Sequence, residues 1–317
     1  MKNKLLLLFL AFYAFSCTKE SDHSNDIAVS AKLQNDRLSF KSMNEFNETY
    51  LMLAKEQSIA DLQYWAQMRS HSTLLYSNDS TIQDYSSILK TILNKDSEME
   101  IGDSIIWFKD GKLYAFSKYD KIIKTDIQNA PEKFKLFGKV IIENIKKSQL
   151  KNTDIYAGAL TTNLQHTFTQ KSCSTACQGG TIKYGDGQRK FVTELYHESY
   201  STGPGPVTYS YLHLRIKLEW KGSQDWQVAG ELKEISVNNL VGTFSYQFPG
   251  NTQFLYPMYW SRPSDSWDCF TGPKDIVMVS NIGAVPSGLV WYVRFTGTVT
   301  QHIKGDTNAP WPETLNW

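Results

Sequence analysis

The sequence has no surplus of charge of either sign. Its 317 residues include 33 Lys and Arg against 32 Asp and Glu, which gives a formal net charge of +1. A nucleic-acid-binding protein shows clustered basic residues and a high isoelectric point. Neither feature occurs here, so we expect no nucleic-acid partner. Runs of five or six like charges are also missing, so no charged tail is predicted.

The motifs of several large enzyme classes are missing as well. The chain has no G-x-S-x-G elbow, no phosphate-binding loop and no dinucleotide fingerprint. His197-Glu198 begins like the H-E-x-x-H motif of zinc proteases, but position 201 is Ser. Glu194 and Glu198 lie about 13 Å apart along a strand, farther than glycosidase carboxylate pairs. We therefore favour a non-enzymatic protein without a cofactor, and a hydrolase with acids on neighbouring strands is the alternative.

Long apolar runs are scarce, and the clearest one stands at the N-terminus. Leu5 to Phe15 follow Lys2 and Lys4 and give an apolar segment of about eleven residues, the pattern of a secretory signal. A membrane-spanning helix needs about 20 apolar residues. The segment ends in Ala14-Phe15-Ser16-Cys17, where the apolar run gives way to polar residues.

This ending resembles the lipobox of bacterial lipoproteins. The resemblance implies that residues 1–16 are a signal peptide, that Cys17 is acylated (palmitate among its chains), and that residues 17–36 form a tether. It also implies a cell-envelope protein held at the outer membrane by its lipid, facing the periplasm or the cell surface. Stable anchoring needs more than one lipid chain. The alternative is an ordinary secretory signal with an incidental cysteine.

Cysteine is rare, with four residues in all: Cys17, Cys173, Cys177 and Cys269. If Cys17 is acylated, three thiols remain in an oxidising compartment, and any two of them could form a disulfide. Cys173 and Cys177 could also join His166 or Cys269 around zinc. A secreted pair is more often a disulfide, so we predict no metal.

Residues 37–155 have mainly helical patterns and are predicted to form an α+β domain. Serine and asparagine caps predict helices that begin near Ser42, Ser58, Ser80 and Asn129. The last of these carries the apolar stripe Phe134, Phe137, Val140, Ile141 and Ile145. Asp110-Gly111 between two apolar runs predicts a β-hairpin.

Residues 164–317 are predicted to form an all-β domain that is sandwich-like or barrel-like. The predicted strands are 181–184, 189–200, 207–220, 226–237, 240–248, 276–281 and 289–303. In the third of these, strict alternation predicts that Tyr209 and Tyr211 point towards water. That tyrosine face is a second, weaker candidate binding surface.

The main candidate site is the aromatic-rich segment 253–270, which lacks clean alternation and is predicted to be a long loop. Exposed aromatic rings with polar neighbours suit a sugar ring or a protein interface. The predicted ligand-binding residues are Tyr256, Tyr259, Trp260, Arg262, Asp265 and Trp267, with Asp268 as a further polar group. The predicted partner is a glycan or an envelope protein. The alternative is a loop whose rings pack in a small core, as in a structural envelope protein.

The phrases "RLSFKSMNEFNETYLMLA" and "SSILKTILNKDSEMEIGDSIIWFKDGKLYAF" resemble the N-terminal region of uncharacterised lipoproteins of Bacteroidota type. The resemblance covers about residues 37–120. That family has no assigned activity, so the resemblance implies an envelope lipoprotein and no functional residues.

Overall fold

The computed structural model describes residues 31–55, 59–75, 77, 82, 85–119, 135–144, 161–168, 172–175, 180–183, 187–202, 208–223, 225–247, 257–282, 290–306 and 308–317. Residues Ala31–Trp317 form one compact unit. Cys17, Tyr256 and Cys177 lie outside the described residues, and the side chains of Cys173 and Cys269 are not described. The predicted lipid attachment, disulfide and, for Tyr256, ligand-binding roles of these residues therefore stay predictions.

The fold is mostly strand, with three short helices near the N-terminus. The helices are α1 (Met43–Leu53), α2 (Ile59–Gln67) and α3 (Ser87–Ile92). The first strands are β1 (Lys32–Gln34), β2 (Arg37–Phe40), β3 (Glu98–Ile101), β4 (Ser104–Lys109), β5 (Lys112–Ser117), β6 (Lys135–Asn144), β7 (Thr161–Phe168), β8 (Ser172–Thr175) and β9 (Gly180–Lys183). The remaining strands are β10 (Gly187–Thr202), β11 (Thr208–Lys221), β12 (Trp226–Val228), β13 (Lys233–Gln247), β14 (Met258–Phe270), β15 (Lys274–Ile282), β16 (Val290–Ile303) and β17 (Trp311–Asn316).

Most strands belong to one of two large sheets. An eleven-stranded sheet has the order β1-β2-β3-β4-β5-β6-β10-β11-β12, and in addition β15 pairs with β11 and β7 pairs with β10. A four-stranded sheet has the order β14-β13-β16-β17. Neither sheet closes into a barrel within the described residues. The predicted β-rich character is confirmed.

The long strands β10 and β11 lie between two covering layers. On one face, Phe191 packs on Trp311 and His197 packs on Trp291, both from the four-stranded sheet. On the other face, α1 packs through Tyr50, whose ring stacks on Tyr211 at 4.2 Å between centroids. The order of layers is therefore helix, sheet, sheet at this point.

The large sheet contains strands from both predicted domains. The N-terminal strand β6 pairs with β10 from Tyr196↔Asn144 to Thr202↔Gly138. Continuous pairing joins segments that the sequence assigned to separate domains. The predicted boundary itself, at 155–164, includes residues 155–160, which the structure does not describe.

The predicted hairpin and two predicted helix starts can be compared with the structure. Asp110 and Gly111 both have positive φ, 50° and 70°, as a type I′ turn between β4 and β5 requires. Ser42 caps α1, and its side chain accepts a hydrogen bond from the Glu45 amide. The third helix begins at Ser87 with Ser86 as its cap, later than the Ser80 start that the sequence predicted.

The predicted fourth helix is wrong. Lys135–Asn144 is strand β6, paired with β5 and β10. The consecutive β-branched residues Val140, Ile141 and Ile142 favour a strand. Pairing on both sides supplies backbone hydrogen bonds, which stabilise the strand against the helix that the apolar spacing predicted. The predicted strands 226–237 and 240–248 are separated at 238–239, but β13 passes through both of these residues with a β-bulge.

Candidate functional site

The predicted aromatic loop is a strand in the structure. Met258–Phe270 is β14, paired with β13 over nearly its whole length. Pro263 is tolerated because β14 is the edge strand of its sheet. The alternation of inward and outward residues along β14 is interrupted at Pro263 and Ser264, which are both exposed.

Strand geometry separates the predicted ligand-binding residues into two faces. Tyr259 points away from the core and is 77% exposed. Trp260 is half-buried and stacks on Phe295 of the inner face. Trp267 is buried. Tyr259, Trp260 and Trp267 therefore do not form one platform.

Three of the predicted residues do come together on the inner side of β14. Arg262 forms an ion pair with Asp265 at 3.2 Å, and its guanidinium lies 5.4 Å from the ring centroid of Trp267. Lys274 of β15 lies 4.9 Å from the same ring. This cluster connects the edges of the two sheets.

The outward face of the four-stranded sheet is rich in hydroxyl groups. Ser236 pairs directly with Ser266 on one side and with Thr300 on the other, so three hydroxyl residues stand in one row across three strands. Neighbouring strands are about 4.8 Å apart, which sets the spacing of this row.

A charged row lies next to the hydroxyl row. Glu234 pairs with His302 across β13 and β16, and their side chains approach to 3.8 Å between Oε2 and Nδ1. Lys304 bonds both Glu234 and Asp268, the latter at 2.7 Å. Burial lowers the pKa of Lys304, but the hydrogen bonds to Asp268 and Glu234 outweigh burial and raise the pKa.

The two rows line a groove of about 290 Å³. Its lining residues are Glu234, Ile235, Ser236, Ser266, Trp267, Asp268, Thr300, His302 and Pro310. This volume is at the small end of the range for ligand sites. We name this feature the sheet groove. Trp267 and Asp268 of the predicted segment reach it, whereas Glu234, Ser236, Thr300 and His302 were not predicted.

A second polar cluster lies buried between the helices and the large sheet. Glu198 of β10 accepts hydrogen bonds from the Tyr50 hydroxyl at 2.6 Å and from the Ser86 amide at 3.0 Å, and also from Tyr200. Burial raises the pKa of Glu198 more than these bonds lower it. The cluster is closed to solvent, because Glu198 is 0% exposed.

Asp275 of β15 is the second buried carboxylate. Its oxygens accept bonds from Arg215 Nε at 2.8 Å and from the Ser87 amide at 3.0 Å. Burial raises the pKa of Asp275, but Arg215 outweighs burial and holds the pKa well below its usual range. Two adjacent amides at the start of α3 thus bind two carboxylates on different strands.

This arrangement fixes the helices to the sheet, and both carboxylates are buried in it. The predicted water-facing tyrosine face is wrong, since Tyr209 and Tyr211 are 2% and 1% exposed. Their hydroxyls donate to Asn44 and Asn47 of α1. The reason is that α1 covers this face, which alternation in one strand cannot reveal.

The described residues contain no group of three or more metal-ligating side chains suitable for an ion. Among the same residues, no helix is both long enough and apolar enough to span a membrane.

No protein-family model matches the chain, and no curated protein matches it. A solved structure of a DUF4848 family protein from Bacteroides thetaiotaomicron aligns with 90% of this chain and 100% of its own. The two are 12% identical, with a TM-score of 0.21. A TM-score this low does not show that the two proteins share a fold.

Proposed function

We propose that this protein is a lipid-anchored protein of the bacterial cell envelope that binds a glycan in the sheet groove. The observation that carries the binding proposal is the pair of polar rows on the outward face of β13, β14 and β16. Hydroxyl and carboxylate groups at regular spacing match the hydroxyl groups of a sugar. The groove is concave and small, which fits one or two sugar rings better than a protein surface.

The binding proposal is tested with the full-length chain in detergent on a glycan array, followed by titration of each hit. Asp268→Asn removes a charged acceptor at the groove, so we expect about tenfold weaker binding, or ~1.4 kcal/mol. Asp103→Asn is the matched control, because Asp103 is also an exposed partner of a lysine, Lys118, but lies on the β3–β4 turn.

Tyr259→Ala tests the aromatic residue that is best exposed for stacking. If the ligand lies in the sheet groove, this variant binds as the wild type does. Binding that is lost with Tyr259→Ala and kept with Asp268→Asn would place the site on the aromatic face instead. An array without any hit overturns the binding proposal.

The anchoring proposal rests on the sequence around Cys17 and has its own test. Mass spectrometry of the protein from membranes should find Cys17 as an acylated first residue. A Cys17→Ser variant should appear in the soluble fraction without detergent. An unmodified Cys17 in membrane-extracted protein would contradict the anchor.

A further inference from the structure

The two carboxylate oxygens of Glu234 in the sheet groove have different surroundings. Glu234 Oε1 is bonded by Lys304, while Oε2 has His302 Nδ1 as its neighbour at 3.8 Å. That distance is too long for a hydrogen bond. Within the described part of the chain, Oε2 accepts no hydrogen bond, and the Glu234 side chain is 45% exposed. This oxygen is open to a ligand.

The imidazole of His302 adds a second acceptor to the same place. Its Nε2 lies 3.2 Å from the carbonyl oxygen of Asp306. A carbonyl accepts and cannot donate, so Nε2 carries the proton in the neutral ring and Nδ1 is left with a lone pair. In that tautomer Nδ1 and Glu234 Oε2 are two acceptors that face each other at 3.8 Å, and one donor placed between them can bond both.

The charges of the groove point in the same direction. Glu234 and Asp268 contribute two carboxylates, and Lys304 contributes one ammonium between them. Among these three groups, one negative charge remains unbalanced. An anionic sugar would be repelled here, whereas a cationic group would complete the pairing.

We infer that the ligand of the sheet groove is an amino sugar, whose ammonium is held between Glu234 Oε2 and His302 Nδ1. Its hydroxyl groups lie along the row formed by Ser236, Ser266 and Thr300. This inference rests on the proposed glycan function and narrows it to one chemical class. An ammonium supplies up to three donors and a positive charge, which no neutral hydroxyl provides.

The test compares ligands that differ only in the amine. The full-length chain in detergent is titrated with oligomers of β-linked glucosamine, with the N-acetylated oligomers of equal length, and with oligomers of a uronic acid. We expect the glucosamine oligomers to bind at least tenfold more tightly than the N-acetylated ones. The uronic acid oligomers should give no measurable binding.

Two variants assign the preference to named atoms. Glu234→Gln keeps the shape but removes the charge, so the preference for the free amine should fall below threefold. His302→Leu removes Nδ1 and should also lower the preference for the free amine. Glu48→Gln, an exposed change on α1, should leave it intact.

The outcomes separate this inference from the proposed function. Equal binding of acetylated and free oligomers, or tighter binding of uronic acids, overturns the amino-sugar inference and leaves glycan binding in place. A full preference in Glu234→Gln overturns the assignment to Glu234. Failure of every saccharide, on the array as well as here, overturns both.

Discussion

At the scale of single residues, Arg215 and Asp275 show how charge is used inside this fold. Their side chains are only 7% and 1% exposed, and Nε lies 2.8 Å from Oδ1. The guanidinium also packs on Tyr196, with the centroid at 4.1 Å. Taking two charges out of water is costly, so each depends on the other.

We predict that Arg215→Met lowers the free energy of unfolding by about 3–5 kcal/mol, because it leaves the Asp275 charge buried and unpaired. Urea denaturation measures this loss. Arg262→Met is the matched control, since the Arg262–Asp265 pair is about one-third exposed and such pairs contribute about 0–1 kcal/mol. Equal losses in the two variants would contradict the role of Arg215.

Two buried histidines predict a loss of stability in mild acid. Burial lowers the pKa of His213 to about 3 and that of His197 to about 4. Both histidines stay neutral in the folded chain. In the unfolded chain the same histidines have a pKa of about 6.5 and bind protons below that pH. Stability should therefore fall as the pH drops from about 6.5 towards 4, by about 1.4 kcal/mol per pH unit for each histidine.

Urea unfolding of the wild type and of His213→Gln between pH 7 and pH 4 checks this prediction. In the variant, the free energy of unfolding should depend less steeply on pH, because one of the two buried histidines is gone. Glu198, whose pKa is raised by burial, acts in the opposite direction in both proteins. The difference between the two slopes therefore carries the test, and identical slopes would show that His213 is protonated in the fold.

At the scale of elements, β13 shows why its sequence carries a glycine within a strand. A Cβ added to Gly242 would lie 2.9 Å from a ring carbon of Phe295 and would also overlap the ring of Phe244. The two rings fill the place that a side chain would occupy on the inner face. Glycine in a strand often marks such a close approach.

Gly242→Ala should therefore destabilise the protein by about 1–3 kcal/mol through overpacking, seen as a lower Tm. The control is Gly230→Ala, where an added Cβ meets nothing within 4 Å. A stability loss at Gly230 as large as that at Gly242 would mean that the glycine backbone, rather than the two rings, decides the effect.

The prediction of elements from sequence succeeded where local chemistry decides. Asp110-Gly111 and Ser42 specify a turn and a cap through their own backbone and side chain, so the hairpin and α1 were placed correctly. It failed for β6 and β14, whose partners lie far away in the chain. Apolar residues at irregular spacing are compatible with a helix and with a bulged strand. Only the neighbouring strands decide between the two.

At the scale of the whole molecule, the N-terminal helices and the C-terminal strands share one polar network. Tyr50 of α1 and Ser86 at the start of α3 both bond Glu198, and Ser87 bonds Asp275. Helices that separated from the sheet would leave two buried carboxylates without these donors. Such a separation is costly, because a hydrogen bond contributes about 0.5–1.5 kcal/mol and one to a charged group about 1.5–3 kcal/mol.

We therefore predict that the described unit unfolds in one cooperative transition. Urea curves from far-ultraviolet circular dichroism and from tryptophan fluorescence should coincide. Tyr50→Phe should shift both curves to lower urea by the same amount, since it removes a donor that both layers share. Two separated midpoints would show that the helices and the strands are independent domains.

The sequence by itself determined the β-rich character of the chain, the 110–111 hairpin and the cap of α1, because these depend on residue type and local spacing. Its prediction of an envelope lipoprotein rests on the residues around Cys17 in the same local way. Only the tertiary structure decided that Tyr209 and Tyr211 are buried and that Glu234, Asp268 and His302 line one groove. The physical reason is that strand register and layer packing bring together residues distant in the chain, and neither is encoded in any single segment.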